Sequence, residues 1–132
     1  MLKTGVIAAS IVLALSTGAA QAQDCSNAMD QASMNRCAYD DWQAADRELN
    51  RLWKRAMAMA RSMDQYTPPG EITTSDALRR AQRTWIKFRD QACEAEGLLM
   101  RGGTAQSMLI SGCKARLTRA RSQDLRIFAD MY

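Results

Sequence analysis

Three stretches of the chain carry apolar residues at helical spacing, two of them at strictly alternating steps of three and four, which puts them on one stripe of an amphipathic helix. The stretch that organises the others runs from Leu78 to Cys93, with Leu78, Ala81, Trp85, Phe88 and Ala92 on its stripe. Gln82 and Arg89 lie at the stripe's edge, where a polar head could be drawn inward, and Cys93 closes the segment. Upstream, the run from Met34 to Met63 has no Gly or Pro, and Ser33 can cap it. Its stripe reads Ala38, Trp42, Ala45, Leu49, Leu52, Ala56, Met59 and Met63, in a helix roughly 45 Å long at about 1.5 Å per residue. Downstream, Thr104 can cap a third helix reaching Phe128, with Leu109, Cys113, Leu117, Ala120 and Leu125 also facing inward.

The breaks are equally legible. Pro68-Pro69-Gly70 forces a loop, and Thr73-x-x-Asp76 resembles the capping box that starts the second helix, which runs to about Leu99. Gly102-Gly103 forces the next turn, and no segment sustains the alternation of a strand. The pattern predicts an all-α fold, a small antiparallel three-helix bundle with a short N-terminal extension over Asp24 to Ala32.

Counting outward from each turn matches levels between helices. Cys93 and Cys113 lie nine and ten residues from the Gly102-Gly103 turn and face each other. Across Pro68-Pro69, Asp46 shares a level with Arg89, and Asn50 with Ile86. Four cysteines, Cys25, Cys37, Cys93 and Cys113, allow three connectivities. With Cys93 and Cys113 paired, Cys37 is left to Cys25, which ties the extension onto the first helix. Each bridge is expected to stabilise by roughly 2–4 kcal/mol, a large share for so small a core.

Residues 1–22 read as a secretory signal peptide rather than as structure. Lys3 is followed by an apolar run from Val6 to Leu15, and Ala20-Gln21-Ala22 offers small residues for cleavage. The run is too short to span a membrane, and no twin arginine precedes it. Asp24 directly before Cys25 departs from the pattern of a lipidated cysteine. The expected product is one domain over residues 23–132, exported to the periplasm or secreted, with no transmembrane segment after signal removal. Lys3 is the only charge removed, so the net charge falls from +4 to +3. That balance favours anionic partners in general, and nucleic acid is not expected in such a compartment.

Several ordered residues carry a family likeness: Ala45-Asp46-x-x-Leu49-Asn50, Gln82-x-x-Trp85-x-x-x-Arg89-Asp90-x-x-Cys93, Gly102-Gly103-Thr104 and Cys113-x-x-x-x-Thr118-x-x-Arg121. Together with all four cysteines, they resemble the lysozyme inhibitor LprI-like N-terminal domain family over nearly the whole mature chain. Trp53 stands where members often carry Tyr. The resemblance implies a helical, disulfide-bonded, exported bacterial domain and, through the family's name, inhibition of lysozyme-type muramidases.

The candidate residues sort into two sets. Asp46 and Arg89, with Asn50, Gln82 and Thr118 as neighbours and Arg121 added by the family pattern, are expected to form a structural polar network, because buried charges need partners. Trp42 and Trp85 fall on core stripes, so a structural role outweighs sugar stacking for the tryptophans. The methionines, Met57, Met59 and Met63 among them, read as core fillers rather than copper ligands, and no metal or cofactor is expected. Arg79, Arg83 and Lys87 recur every fourth position on the outer face of the second helix, and Arg116, Arg119 and Arg126 do much the same on the third. The bundle tips, Gln65 to Thr74 and Arg101 to Ser107, carry Tyr66, Glu71 and Arg101 as further candidate contacts.

Catalysis has little support: the chain has no histidine, no GxSxG motif and, once both disulfides form, no free thiol. The expected function is an exported helical binding module that inhibits lysozyme-type muramidases by occluding the cleft and presenting a polar group to the catalytic carboxylates. Like-charge repulsion from cationic lysozymes argues against it. The alternative is an envelope-associated binding or structural protein that lays its basic helix face on an anionic surface component.

Overall fold

A computed structural model describes residues 24–131. The expected signal peptide lies outside the described residues. Helix α1 spans Gln31–Met63, α2 Thr74–Gly97 and α3 Gln106–Ala129. A single 3-10 turn at Cys25–Asn27 makes up the ordered part of the extension.

The caps explain where the helices begin, and two differ from expectation. The cap of α1 is Asp30, not Ser33. The Asp30 carboxylate accepts the Ser33 backbone N–H at 2.9 Å and the Ser33 hydroxyl at 2.7 Å. An anion at a helix N-terminus satisfies a free N–H and also favours the helix dipole, so the acid three residues upstream wins over the hydroxyl. The helix therefore has 33 residues, about 50 Å at 1.5 Å per residue.

At the start of α2, Thr73 Oγ1 accepts the Asp76 N–H at 3.1 Å, which is half of the capping box, while the Asp76 carboxylate pairs with Arg79 instead of reaching back to the Thr73 N–H. Asp64, from the end of α1, accepts the next free donor, the Ser75 N–H, at 2.9 Å. Thr104 is not the cap of α3. Ala105 holds that place without a side-chain bond, and Thr104 instead offers its carbonyl to Asn35 Nδ2 on α1 at 2.9 Å. Gly102, at φ +72°, makes the turn between α2 and α3, and its N–H is held by Gln106 Oε1 at 3.0 Å.

Helix α2 runs antiparallel to α1 and α3, which leaves α1 and α3 parallel. Helix α1 packs mainly against α3 and only sparsely against α2. The reason lies in the side chains that α3 turns inward: Ser111, Cys113, Ala115, Thr118, Ser122 and Leu125. Small residues let two helix axes approach, and interaxial distance follows side-chain size. Of the expected α3 stripe, Cys113 and Leu125 are buried, Leu109, Leu117 and Phe128 are half-buried, and Ala120 is exposed.

Helix α2 is rotated relative to its apolar stripe. It buries Ser75, Leu78, Gln82, Arg89, Cys93 and Gly97, while Ala81 is exposed and Phe88 is 57% exposed. The main core sits toward the α1–α2 loop, where Leu49, Leu52, Ala56, Met57 and Ala60 of α1 meet Leu78 and Leu125, with Trp53, Trp85 and Phe128 packed around them. Met57 is thus a core residue. At the other end the bundle is closed by Cys93–Cys113, and Cys25–Cys37 ties the extension to α1.

The capping carboxylates give stability a pH dependence. Bonding from Ser33, side chain first, holds the Asp30 carboxyl below its usual range, and bonding from Ser75 does the same for Asp64. A depressed folded value means that the contribution is complete above the unfolded value of about 3.9 and is lost as pH falls through the folded one. Thermal melts should therefore show a steep loss of Tm below about pH 4. The Asp30→Asn/Asp64→Asn variant, which keeps the acceptors but not the titration, should show a shallower acid limb.

Candidate functional site

Large side chains hold α1 and α2 apart, and Arg89 is the chief of them. Its guanidinium carbon lies 5.2 Å from the Trp85 ring centroid and 5.8 Å from that of Trp42. Arg89 Nε donates to Asp90 Oδ1 at 2.9 Å, and Nη1 stands 3.5 Å from Asp46 Oδ1. Lys114 of α3 joins from the far side, with Nζ 4.6 Å from the Trp42 centroid and 3.5 Å from Asp90. Burial raises the Asp90 carboxyl, but hydrogen bonding and charge from Arg89, with charge from Lys114, outweigh it and hold the group below its usual range.

The expected polar network therefore exists in two pieces. Asp46 and Arg89 meet as the level-matching predicts, and Asn50 Nδ2 donates to Asp46 Oδ2 at 3.0 Å. Gln82 does not bond to that pair; its Oε1 accepts from Arg121 Nε at 3.0 Å. Thr118 joins neither piece, since its buried hydroxyl has no hydrogen-bond partner. Asp90, Lys114 and Trp42 take places in the network that sequence reasoning did not assign. The adjacent acid Asp90 was visible in the sequence, but not that it would fold back onto its neighbour.

Because α1 and α2 are held apart, a groove of about 360 Å³ opens between them. Helix α1 lines it with Asp46, Asn50 and Trp53, and α2 with Arg79, Gln82, Arg83 and Arg89. Two of the expected partner-binding arginines thus stand beside the polar network rather than on a separate face. Arg79 pairs with Asp76, whereas Arg83 and Lys87 make no ion pair among the described residues.

The basic face expected on α3 is neutralised. Arg116 pairs with Glu96 at 2.8 Å, Arg119 with Asp41, and Arg126 with Glu48 at 3.3 Å. Bonding to Asp41 also favours the charged form of Arg119. The two parallel helices bring acids of α1 level with arginines of α3, a match invisible to a reading of α3 alone.

The remaining candidates lie at the ends. Tyr66, 71% exposed, and Glu71 sit in the α1–α2 loop, while Arg101 sits in the α2–α3 loop. The 24 residues of α2 separate these loops by roughly 36 Å, so the structure does not bring the three together. The two tips also differ in charge. From Asp64 to Asp76 there are three acids and no Lys or Arg, whereas the other tip carries Arg101. Among the described residues no helix is long and apolar enough to cross a membrane.

The fold and site define a class: a small disulfide-stapled bundle of three helices with a groove between α1 and α2. The chain belongs to the lysozyme inhibitor LprI family, whose pattern it matches over residues 22–125. It is 41% identical over 108 residues to an uncharacterised protein of Rhizobium meliloti (strain 1021), covering 78% of this chain and 76% of that one. No solved structure matches it. The family is one of inhibitors rather than enzymes, and with two disulfides it points to an extracytoplasmic protein.

The Arg89 clamp yields a testable ordering of energies. Arg89→Ala should cost more than about 2 kcal/mol, because it empties the slot between two rings. Arg83→Ala should stay within about 0.5 kcal/mol. In double-mutant cycles by denaturant unfolding, Arg89 should couple more strongly to Trp85 than to Asp46, whose side chain is 36% exposed and whose attraction solvent screens. A larger coupling to Asp46 would contradict the clamp.

Proposed function

We propose that this protein is a periplasmic inhibitor of lysozyme-type muramidases and that it acts through the α1–α2 tip. Membership of the lysozyme inhibitor family over residues 22–125 carries the reading. Both tips are held by hydrogen bonds, and charge sets this one apart. Its loop is pinned at both ends: Asp64 bonds to Ser75, and the Glu71 N–H bonds to the Pro68 carbonyl at 3.1 Å, with Gly70 at φ +85° between them. A loop already ordered loses little entropy on binding.

Charge supports the same choice. A domain of +3 is repelled by a cationic lysozyme at long range, but the tip carries Asp64 and Glu71, neither of them in an ion pair among the described residues, and turns the opposite sign toward it, while Asp76 is paired with Arg79. The exposed Tyr66 then enters the substrate cleft, where its phenol can donate to a catalytic carboxylate while the ring excludes water. The bulk of the bundle blocks the glycan's path.

A second reading stands on Arg83 and Lys87, cations on α2 left without acidic partners: an envelope-associated role on an anionic surface component. Salt separates the two, because attachment by exposed cations weakens steeply as ionic strength rises.

The inhibition reading is tested by the clearing of peptidoglycan suspensions by purified lysozymes of several classes, with the protein titrated in. Tyr66→Ala and Glu71→Lys should each reduce inhibition at unchanged thermal stability, and Arg101→Ala should not. No inhibition at several-fold molar excess against any class would overturn the reading.

A further inference from the structure

The α1–α2 groove holds more unspent polar chemistry than a structural seam needs. Gln82 and Arg89 in its lining are only 8% and 7% exposed. Gln82 gives its Oε1 to Arg121, while its Nε2 makes no hydrogen bond among the described residues. The Nε2 atom is not cut off from solvent, so it is a donor presented on the groove surface rather than one buried without a partner. Across the groove, Asn50 spends Nδ2 on Asp46 and keeps its Oδ1 open. Trp53, half-buried, supplies an aromatic wall.

The charges are unbalanced. Of the three guanidinium groups in the lining, Arg79 is paired with Asp76 and Arg89 with Asp90 and Asp46, which leaves Arg83 without an acidic partner among the described residues. The volume, about 360 Å³, falls within the range of small-molecule sites.

We propose that this groove binds a carboxylate-bearing saccharide. The open amide groups of Asn50 and Gln82 offer one acceptor and one donor, the pair that sugar hydroxyls and acetamido groups require. The Trp53 ring offers an apolar surface for the C–H face of a pyranose. The Arg83 fork takes the carboxylate, with the planar two-point geometry that a lysine would not supply. A bare inorganic anion would use only the guanidinium groups and leave both amides and the ring idle. A neutral sugar would leave Arg83 idle. The ligand must therefore combine hydroxyls and a carboxylate on one ring system, as a muramic acid unit does. The inference narrows the cationic α2 face to a ligand class and is independent of muramidase inhibition.

The test titrates the purified protein with the N-acetylglucosamine–N-acetylmuramic acid disaccharide, with neutral chitobiose and with inorganic phosphate. The readout is the NMR signals of the Trp53 indole and the Gln82 side-chain amide. The acidic disaccharide should shift both, chitobiose should bind at least tenfold more weakly, and Arg83→Ala should weaken the acidic disaccharide at least tenfold. Arg116→Ala, on the neutralised face, should change nothing. Asn50→Ala should weaken the disaccharide yet leave salt-sensitive binding to anionic vesicles intact, which separates this site from general attachment by the face. Equal binding of chitobiose, full displacement by equimolar phosphate, or no shift at millimolar disaccharide would each overturn the proposal. Tyr66→Ala, at the tip and outside the groove lining, should leave the disaccharide-induced shifts unchanged, so the fate of the groove and that of the tip are read separately.

Discussion

The Arg89 guanidinium, lodged between the rings of Trp42 and Trp85, is the interaction on which the rest of the structure depends. An arginine that is nearly buried must be compensated, and here the compensation is divided. Two aromatic faces stabilise the cation from α1 and α2, Asp90 supplies a close charged bond, and Asp46 contributes a longer, partly screened one. Three bulky groups at one level set a minimum distance between α1 and α2. Helix α1 accordingly finds its close contact on α3, where Ala115, Thr118 and Ser122 let the axes approach. The groove is the space left by that asymmetry.

The same asymmetry sorts the charges. Where α1 and α3 lie close, acids and arginines meet, and the cations of α3 are spent in pairs with Asp41 and Glu48. Where α1 and α2 lie apart, Arg83 and Lys87 find no such partners among the described residues. The loop at the end of this open side is acidic and held by hydrogen bonds from Ser75 to Asp64 and from Glu71 to Pro68. One face of the molecule thus presents a cationic groove that ends in an anionic tip, while its net charge of modest size says nothing of either. The disulfides hold this arrangement at its far end, where the apolar core is thin.

Much of this was legible in the sequence, for physical reasons. Three helical stripes, the Gly102-Gly103 turn and counting along antiparallel helices place Cys93 opposite Cys113 and Asp46 opposite Arg89, because rise per residue is constant. What counting misses is rotation about the helix axis. Helix α2 turns Gln82 and Arg89 inward and Phe88 outward, since the tryptophans solvate a guanidinium better than they accommodate a second large ring. Helix α3 was misread for a related reason: its buried face is made of Ser, Thr and Ala, which carry little hydrophobic signal. The pairing of Arg119 and Arg126 is invisible to a reading of α3 alone because their partners lie on α1, distant in sequence, whereas Arg116 meets Glu96 of the adjacent α2. Caps fell three residues from expectation at Asp30 because two cap-forming residues stand one turn apart.

The central functional claim is that an acidic, preordered tip engages a muramidase while the groove remains open. The most direct measurement is hydrogen–deuterium exchange of the protein with and without saturating cationic lysozyme, read segment by segment. The account predicts protection concentrated in residues 64–76, with little change at 79–87 and none at 98–105. Protection centred on 79–87 or on the Arg101 loop, with 64–76 unaltered, would contradict it.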